Sequence, residues 1–144
     1  MIIPLGAERY EIRDDQLFIM ATPISTRNPE YPDVKDQQDI SVDLCASFVV
    51  TEEGAVNQVE IVDAPVCSDS ALHTSDAFGK AVIAAVSEWS FLGAALCTFP
   101  ESVSKNSECE GDGVVTVPVP VRLDYVFTFE LKDGEKKVRS KTGH

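Results

Sequence analysis

The chain has only two histidines and one tryptophan, and it has no CxxC pair and no long apolar run. Each shortage excludes something. A membrane-crossing helix needs about 20 consecutive apolar residues, and no stretch approaches that. Met1 to Gly6 is too short even for the apolar region of a signal peptide, so either the chain is cytosolic or an export signal was removed ahead of it, a choice on which the cysteines bear. His144 is terminal and His73 sits in a polar loop, and neither setting suits a general base. GxSxG, HExxH, P-loop and GxGxxG patterns are absent. Cys67, six residues from His73, is the nearest approach to a nucleophile–base pair, and a disulfide is the better reading of that cysteine. Without CxxC or His at ligand spacing, zinc is excluded as well. The chain is therefore expected to be no enzyme and to hold no cofactor or metal.

Positive charge is scarce too. Twelve Lys and Arg stand against 24 Asp and Glu, a formal charge of -12. Such a chain repels phosphate backbones and anionic lipid, and nucleic-acid binding needs clustered Lys and Arg. The single basic cluster, Lys132 to Lys141, lacks interleaved aromatics and reads as a solvated, flexible tail over residues 133–144. Neither nucleic acid nor membrane insertion is expected. Acidic side chains group at Asp14-Asp15, at Asp33, Asp36 and Asp39, and at Glu108, Glu110 and Asp112. The last group lacks the downstream bidentate Glu of an EF-hand loop, since position 117 is Val, and reads as a solvated loop.

What is present is ordinary globular material. The 144 residues are 44% hydrophobic and 25% charged, enough for one domain with its own core. Cys45, Cys67, Cys97 and Cys109 form an even set, which suits disulfides in an oxidising compartment. Four cysteines allow three pairings. Cys97 with Cys109 is favoured because it closes the polar loop Thr98 to Glu108, with Cys45 and Cys67 remaining.

Local patterns supply the elements. Arg9 to Met20 reads as a first strand or hairpin turning at Asp14-Asp15, before a loop holding Pro23, Pro29 and Pro32. Ile40 to Val50 alternates, with Ile40, Val42, Leu44, Ala46, Phe48 and Val50 on one face. Thr51 to Gly54 is a turn, and Val56 to Val62 returns as a hairpin partner. Ser75 to Phe91 is the one convincing helix, capped by Ser75 or Asp76, with Phe78, Val82, Ala85 and Trp89 forming its apolar stripe. Gly79 weakens that helix but permits close packing on a sheet. From Val115 to Leu131 every odd residue is apolar, which predicts one long strand with one face on the core. Pro118 and Pro120 remove donors from one side of it, so that end reads as an edge. These elements predict an α+β fold: a two-layer sandwich of one or two helices on a three- to four-stranded antiparallel sheet. Residues 1–30 form an extended N-terminal segment and 31–132 the domain.

The ordered pieces carry a resemblance. Tyr31-Pro32, then Phe48 to Val56, then Val59 to Val62, then the helix end Ala84 to Phe91, then Pro118 to Arg122, together resemble the TonB C-terminal domain. The resemblance spans roughly Tyr31 to Leu131. It implies a periplasmic domain that binds a protein or peptide partner as an added strand beside the last strand. It places Arg122, Asp124, Val126 and Thr128 along that site and Tyr31 and Pro32 near the docked partner. The cysteines, the acidic balance and the stretch Ala94 to Asp112 are not part of that pattern, so a repurposed binding domain is expected rather than an energy transducer. A homodimer through the sheet edge is a further possibility of the same geometry. The alternative, from the charge, is an acidic periplasmic inhibitor or immunity protein that blocks a basic toxin or hydrolase. The cysteine reading has a direct check. In denaturant the untreated protein is expected to show no reactive thiol, and all four after reduction; reactive thiols before reduction would refute it.

Overall fold

The structure is a computed structural model, and it describes residues 2–5, 8–32, 39–62, 67 and 76–142. The fold is α+β and mostly β: antiparallel sheets with one helix among the described residues. The strands are β1 (Ile2–Leu5), β2 (Glu8–Glu11), β3 (Gln16–Ile19), β4 (Thr22–Ser25), β5 (Ile40–Val50) and β6 (Val56–Val62). After helix α1 (Asp76–Val86) come β7 (Ser90–Leu92), β8 (Ala94–Thr98), β9 (Val115–Val119), β10 (Val121–Lys132) and β11 (Glu135–Thr142).

The main sheet has the order β11-β10-β5-β6. Strand alternation sends Val42, Leu44, Ala46, Phe48 and Val50 of β5 into the core. The odd residues Val121, Tyr125, Phe127, Phe129 and Leu131 of β10 face the same way and are buried. Helix α1 lies on this side, its stripe of Phe78, Val82 and Val86 buried in the same cluster. Trp89 centres an aromatic group, with its ring 5.1 Å from Tyr125, 5.6 Å from Phe127 and 5.8 Å from Phe48. Its indole N–H donates to the Arg27 carbonyl at 2.7 Å, so the polar tip is satisfied while the ring is buried.

The helix ends earlier than its periodicity predicts. Glu88 N–H and Trp89 N–H bond three residues back, to Ala85 and Val86, and close the last turn. Phe91 N–H then donates to the Gly54 carbonyl at 2.9 Å, and Ser90 bridges to Ala55. Trp89 is therefore core but not helical, and Phe91 belongs to β7. The capping role expected of Ser75 lies outside the described residues.

The N-terminal region also differs. β2 pairs with β1, not with β3, so Arg9 to Met20 is no hairpin. Asp14 and Asp15 do form a turn, closed by Gln16 N–H on the Arg13 carbonyl. β3 pairs with β8, and β4 pairs with β7 in the same register, Gln16 opposite Thr98 through Pro23 opposite Phe91. The two ladders thus read as successive parts of one ribbon, ending in an irregularity between Pro23 and Ser25. Residues 16–25 are consequently integral to the domain, and the boundary expected at residue 30 is not one.

The predicted single strand from Val115 to Leu131 is two. Pro120 falls between β9 and β10, and β9 joins a separate sheet of order β3-β8-β9. The proline there supplies no ladder donor and permits the change of sheet. The odd-residue rule holds for β10 but fails for β9, where Val115 and Val117 are 55% and 49% exposed. β9 is an edge strand, as suits Pro118 within it.

Both disulfides form. Cys97 pairs with Cys109 and Cys45 with Cys67, each with Cα atoms 5.9 Å apart. Cys97 lies in β8 rather than in a loop. Cys45, on the face of β5 expected to meet water, is instead buried with Cys67 and Val126 in a second, smaller cluster backed by Val62. Closing loops of this length is worth roughly 3 kcal/mol each in the chain-entropy account.

Two glycines set opposite expectations. Gly54 has φ +87°, and a Cβ there would fall 1.8 Å from the Phe91 carbonyl oxygen. A Cβ on Gly79 would meet Ile61 Cγ1 at an ordinary 3.6 Å. Gly54→Ala is therefore expected to destabilise by more than about 2 kcal/mol, combining left-handed strain with a backbone clash. Gly79→Ala should stabilise by up to about 1 kcal/mol through helix propensity. Denaturant melts of the two variants test the pair, and equal effects would contradict the packing described.

Candidate partner-binding edge

The sequence places the partner site beside β10, which would require that strand to be an edge. It is not one. β5 pairs with β10 from Val121 to Leu131. β11 pairs with its other side from Tyr125 to Lys132. The residues expected as a flexible tail are thus the outermost strand of the main sheet. The local cause is Asp133-Gly134, with φ +53° and +81°, a two-residue turn whose twist suits a tight hairpin. Asp133 N–H also donates to Asp39 Oδ1 at 3.1 Å.

Of the predicted site residues, Arg122, Asp124, Val126 and Thr128 do come together, in one row on the sheet face away from α1. Arg122 donates to Ser47 Oγ at 3.0 Å and reaches Glu60 Oε1 at 3.4 Å. Asp124 is exposed opposite Ser47. Val126 is buried against the Cys45–Cys67 disulfide. Thr128 donates to Asp43 Oδ1 at 2.7 Å and stands opposite Arg139 of β11. Arg122, Val126 and Thr128 are engaged with their own sheet, and from Tyr125 to Leu131 both backbone edges are taken. The hairpin β1–β2 also lies against β10.

Tyr31 is on the other side. The Tyr31 ring packs edge-on against Phe78 at 5.7 Å and Phe129 at 6.0 Å, on the core face. Lys136 of β11 sits with its ammonium 5.4 Å from the Tyr31 ring centre. The Tyr31 hydroxyl is buried with no hydrogen-bond partner. Tyr31 is therefore not joined to the Arg122 to Thr128 row and sits beneath the inner face of β11. Pro32, the next residue, is half-buried.

β11 is tied down from that inner face. Asn28 donates through Nδ2 to the Val138 carbonyl at 3.2 Å and accepts from the Ser140 hydroxyl at 3.0 Å. On the other face Arg139 forms an ion pair with Glu130. Lys137, Arg139 and Lys141 line that face in alternate positions, opposite Glu130, Thr128 and Val126. Lys137 and Arg139 side chains are 60% and 66% exposed. A shallow depression of about 240 Å³ lies between β10 and β11, lined by Val126, Thr128, Arg139, Ser140 and Lys141. The outer backbone edge of β11 pairs with no strand among the described residues. Sequence reading missed this strand, although the Asp-Gly turn and the alternation of Val138 and Ser140 with charged neighbours signalled it.

Among the described residues no three His, Cys, Asp or Glu side chains are grouped to hold a metal. Cys67 is bonded to Cys45, which removes it as a nucleophile, and His73 lies outside the described residues. In the loop Asn106 to Gly113, Asn106 is turned inward, donating to the Ser104 and Glu110 carbonyls and accepting from Glu110 N–H. No described helix is long and apolar enough to cross a membrane.

No family model matches the chain, and no curated protein does. Among solved structures, a solution NMR structure of the Pseudomonas aeruginosa TonB C-terminal domain is similar at 16% identity. The likeness covers 87% of this chain and 93% of that one, with a TM-score of 0.42. This is a distant, fold-level similarity and no more.

Burial raises the Tyr31 phenol pKa above its ordinary value, and that of Tyr125 likewise. A phenol with a raised folded-state pKa holds its proton more tightly folded than unfolded. The stability this contributes is fully present below pH about 10 and is lost as pH rises through the folded-state value. Tyr31→Phe removes an unpartnered hydroxyl as well. It is expected to be neutral or to stabilise by up to about 1 kcal/mol, and to flatten part of the alkaline loss. Denaturation at pH 7 and across pH 9 to 11 measures both, and a destabilised, equally pH-sensitive variant would contradict this account of the site.

Proposed function

We propose that the protein is a non-enzymatic periplasmic binding module, a helix-on-sheet domain that engages an extended segment of a protein or peptide by strand addition. The edge used is β11. β10, the strand implied by the sequence resemblance, is already paired on both sides over most of its length. The observation that carries this reading is the open side of β11: eight residues of extended backbone at the rim of a four-stranded sheet. Its inner face is braced by Asn28 and Tyr31, so the edge is pre-formed and an incoming strand has little ordering left to do. The two disulfides fit an oxidising compartment, for which the periplasm is the proposed case.

Site-specific photo-crosslinking tests this. A photoactivatable residue at Lys137 or Lys141, in protein exported to the periplasm, is expected to capture a discrete partner. The same residue at Glu101 or Lys105, in the loop after β8, is expected to capture none. Equal capture at both ends, or none at β11, would overturn the reading.

A further inference from the structure

The charge distribution says which strand the edge accepts. Five of the 12 basic residues, Lys132, Lys136, Lys137, Arg139 and Lys141, lie in residues 130–142, beside three of the 24 acidic ones. The rest of the chain is thus strongly negative, while the β11 rim of the main sheet carries net positive charge. The positive side chains are not scattered. Lys137, Arg139 and Lys141 repeat every second residue, so they share one face of β11, the outermost strand of the main sheet. Arg139 is held by Glu130, and Lys137 approaches Glu135 at 4.0 Å. Lys141 has no ion pair among the described residues.

Charged edges serve to prevent unwanted pairing. Here the pattern rejects some strands and not others. A strand carrying Lys or Arg opposite Lys137, Arg139 and Lys141 would set like charge directly against like, which is destabilising. A second copy of β11 paired antiparallel about Val138 would set Lys137 against Arg139 but also Glu135 against Lys141, so charge gives no net rejection of self-pairing in that register. The overall negative charge does not cancel the effect, because screening confines each field to about 8 Å at physiological ionic strength.

We infer that the β11 edge is selective for an extended polypeptide carrying carboxylates at alternate positions, laid beside the row Lys137, Arg139 and Lys141. The inference rests on the proposed use of β11 as the binding edge. Between its carboxylates such a segment presents small side chains to the face that carries Val138 and Ser140.

Two synthetic octapeptides are the probes: glutamate alternating with threonine, and lysine alternating with threonine. Backbone amide shifts of the labelled full chain report where each binds. The glutamate peptide is expected to perturb residues 135–142 and to bind at least tenfold more tightly than the lysine peptide. Its affinity should fall as salt rises. The double variant Lys137→Glu, Lys141→Glu should reverse the preference, a gain that a misfolded variant cannot show. If both peptides perturb β11 equally, the edge stands and the charge selectivity is refuted. If neither perturbs β11, both the edge reading and this inference fall. Anionic lipid vesicles and a single-stranded oligonucleotide complete the test. Perturbation of β11 by either, stronger than by the glutamate peptide, would overturn the assignment to a polypeptide.

Discussion

The structure depends on β10 being paired on both sides while one of its faces is aromatic. Its odd residues place Tyr125, Phe127 and Phe129 under Trp89 and α1, and its backbone joins β5 to β11. A strand in that position has no freedom of register. A slip of one residue would bring Arg122, Asp124 and Thr128 into the core and put three aromatic rings in water. The two-sided pairing also decides where the molecule is open. With β10 closed from Tyr125 to Lys132, a partner seeking backbone donors and acceptors at this rim meets β11.

Packing energy and polar anchoring are divided between the two faces of the main sheet. The face toward α1 is apolar and aromatic and supplies most of the burial. The opposite face holds a covalent clamp, Cys45–Cys67, and a set of cross-strand polar contacts from Arg122, Thr128 and Arg139. Surface pairs of this kind contribute little each. Their effect is to fix which side chains line the rim. β11 itself buries little, and apart from its ladder it is held by Asn28, the Lys136–Tyr31 contact and the Arg139–Glu130 pair. Its local stability is accordingly expected to be lower than that of β5 and β10.

Several features were legible in the residues. The alternation of β5 and of the β10 half, the β5–β6 hairpin with Gly54 in its turn, the apolar stripe of α1, the buried role of Trp89 and the Cys97–Cys109 bond all follow from spacing and local chemistry. Other features were misread because local pattern could not choose between two partners. Val115 and Val117 keep the parity of Tyr125 and Phe127, but a change of sheet at Pro120 turns them outward. Residues 87–91 keep helical spacing, yet Phe91 N–H is taken by Gly54, and the chain leaves the helix. The basic tail carried an Asp-Gly turn, whose meaning depends on having a strand edge to fold against.

The sequence by itself determined the class of fold and the apolar faces of β5, β10 and α1, because each rests on the chemistry of neighbours a few residues apart. Only the tertiary structure decided which strands are the edges of the main sheet, β11 on one side and β6 on the other. Edge and centre differ by pairing between Val126 and Lys141 or between Gln16 and Thr98, residues far apart in the chain. Backbone hydrogen bonding is the same for every sequence, so a strand carries no local mark of which of its two sides will be filled.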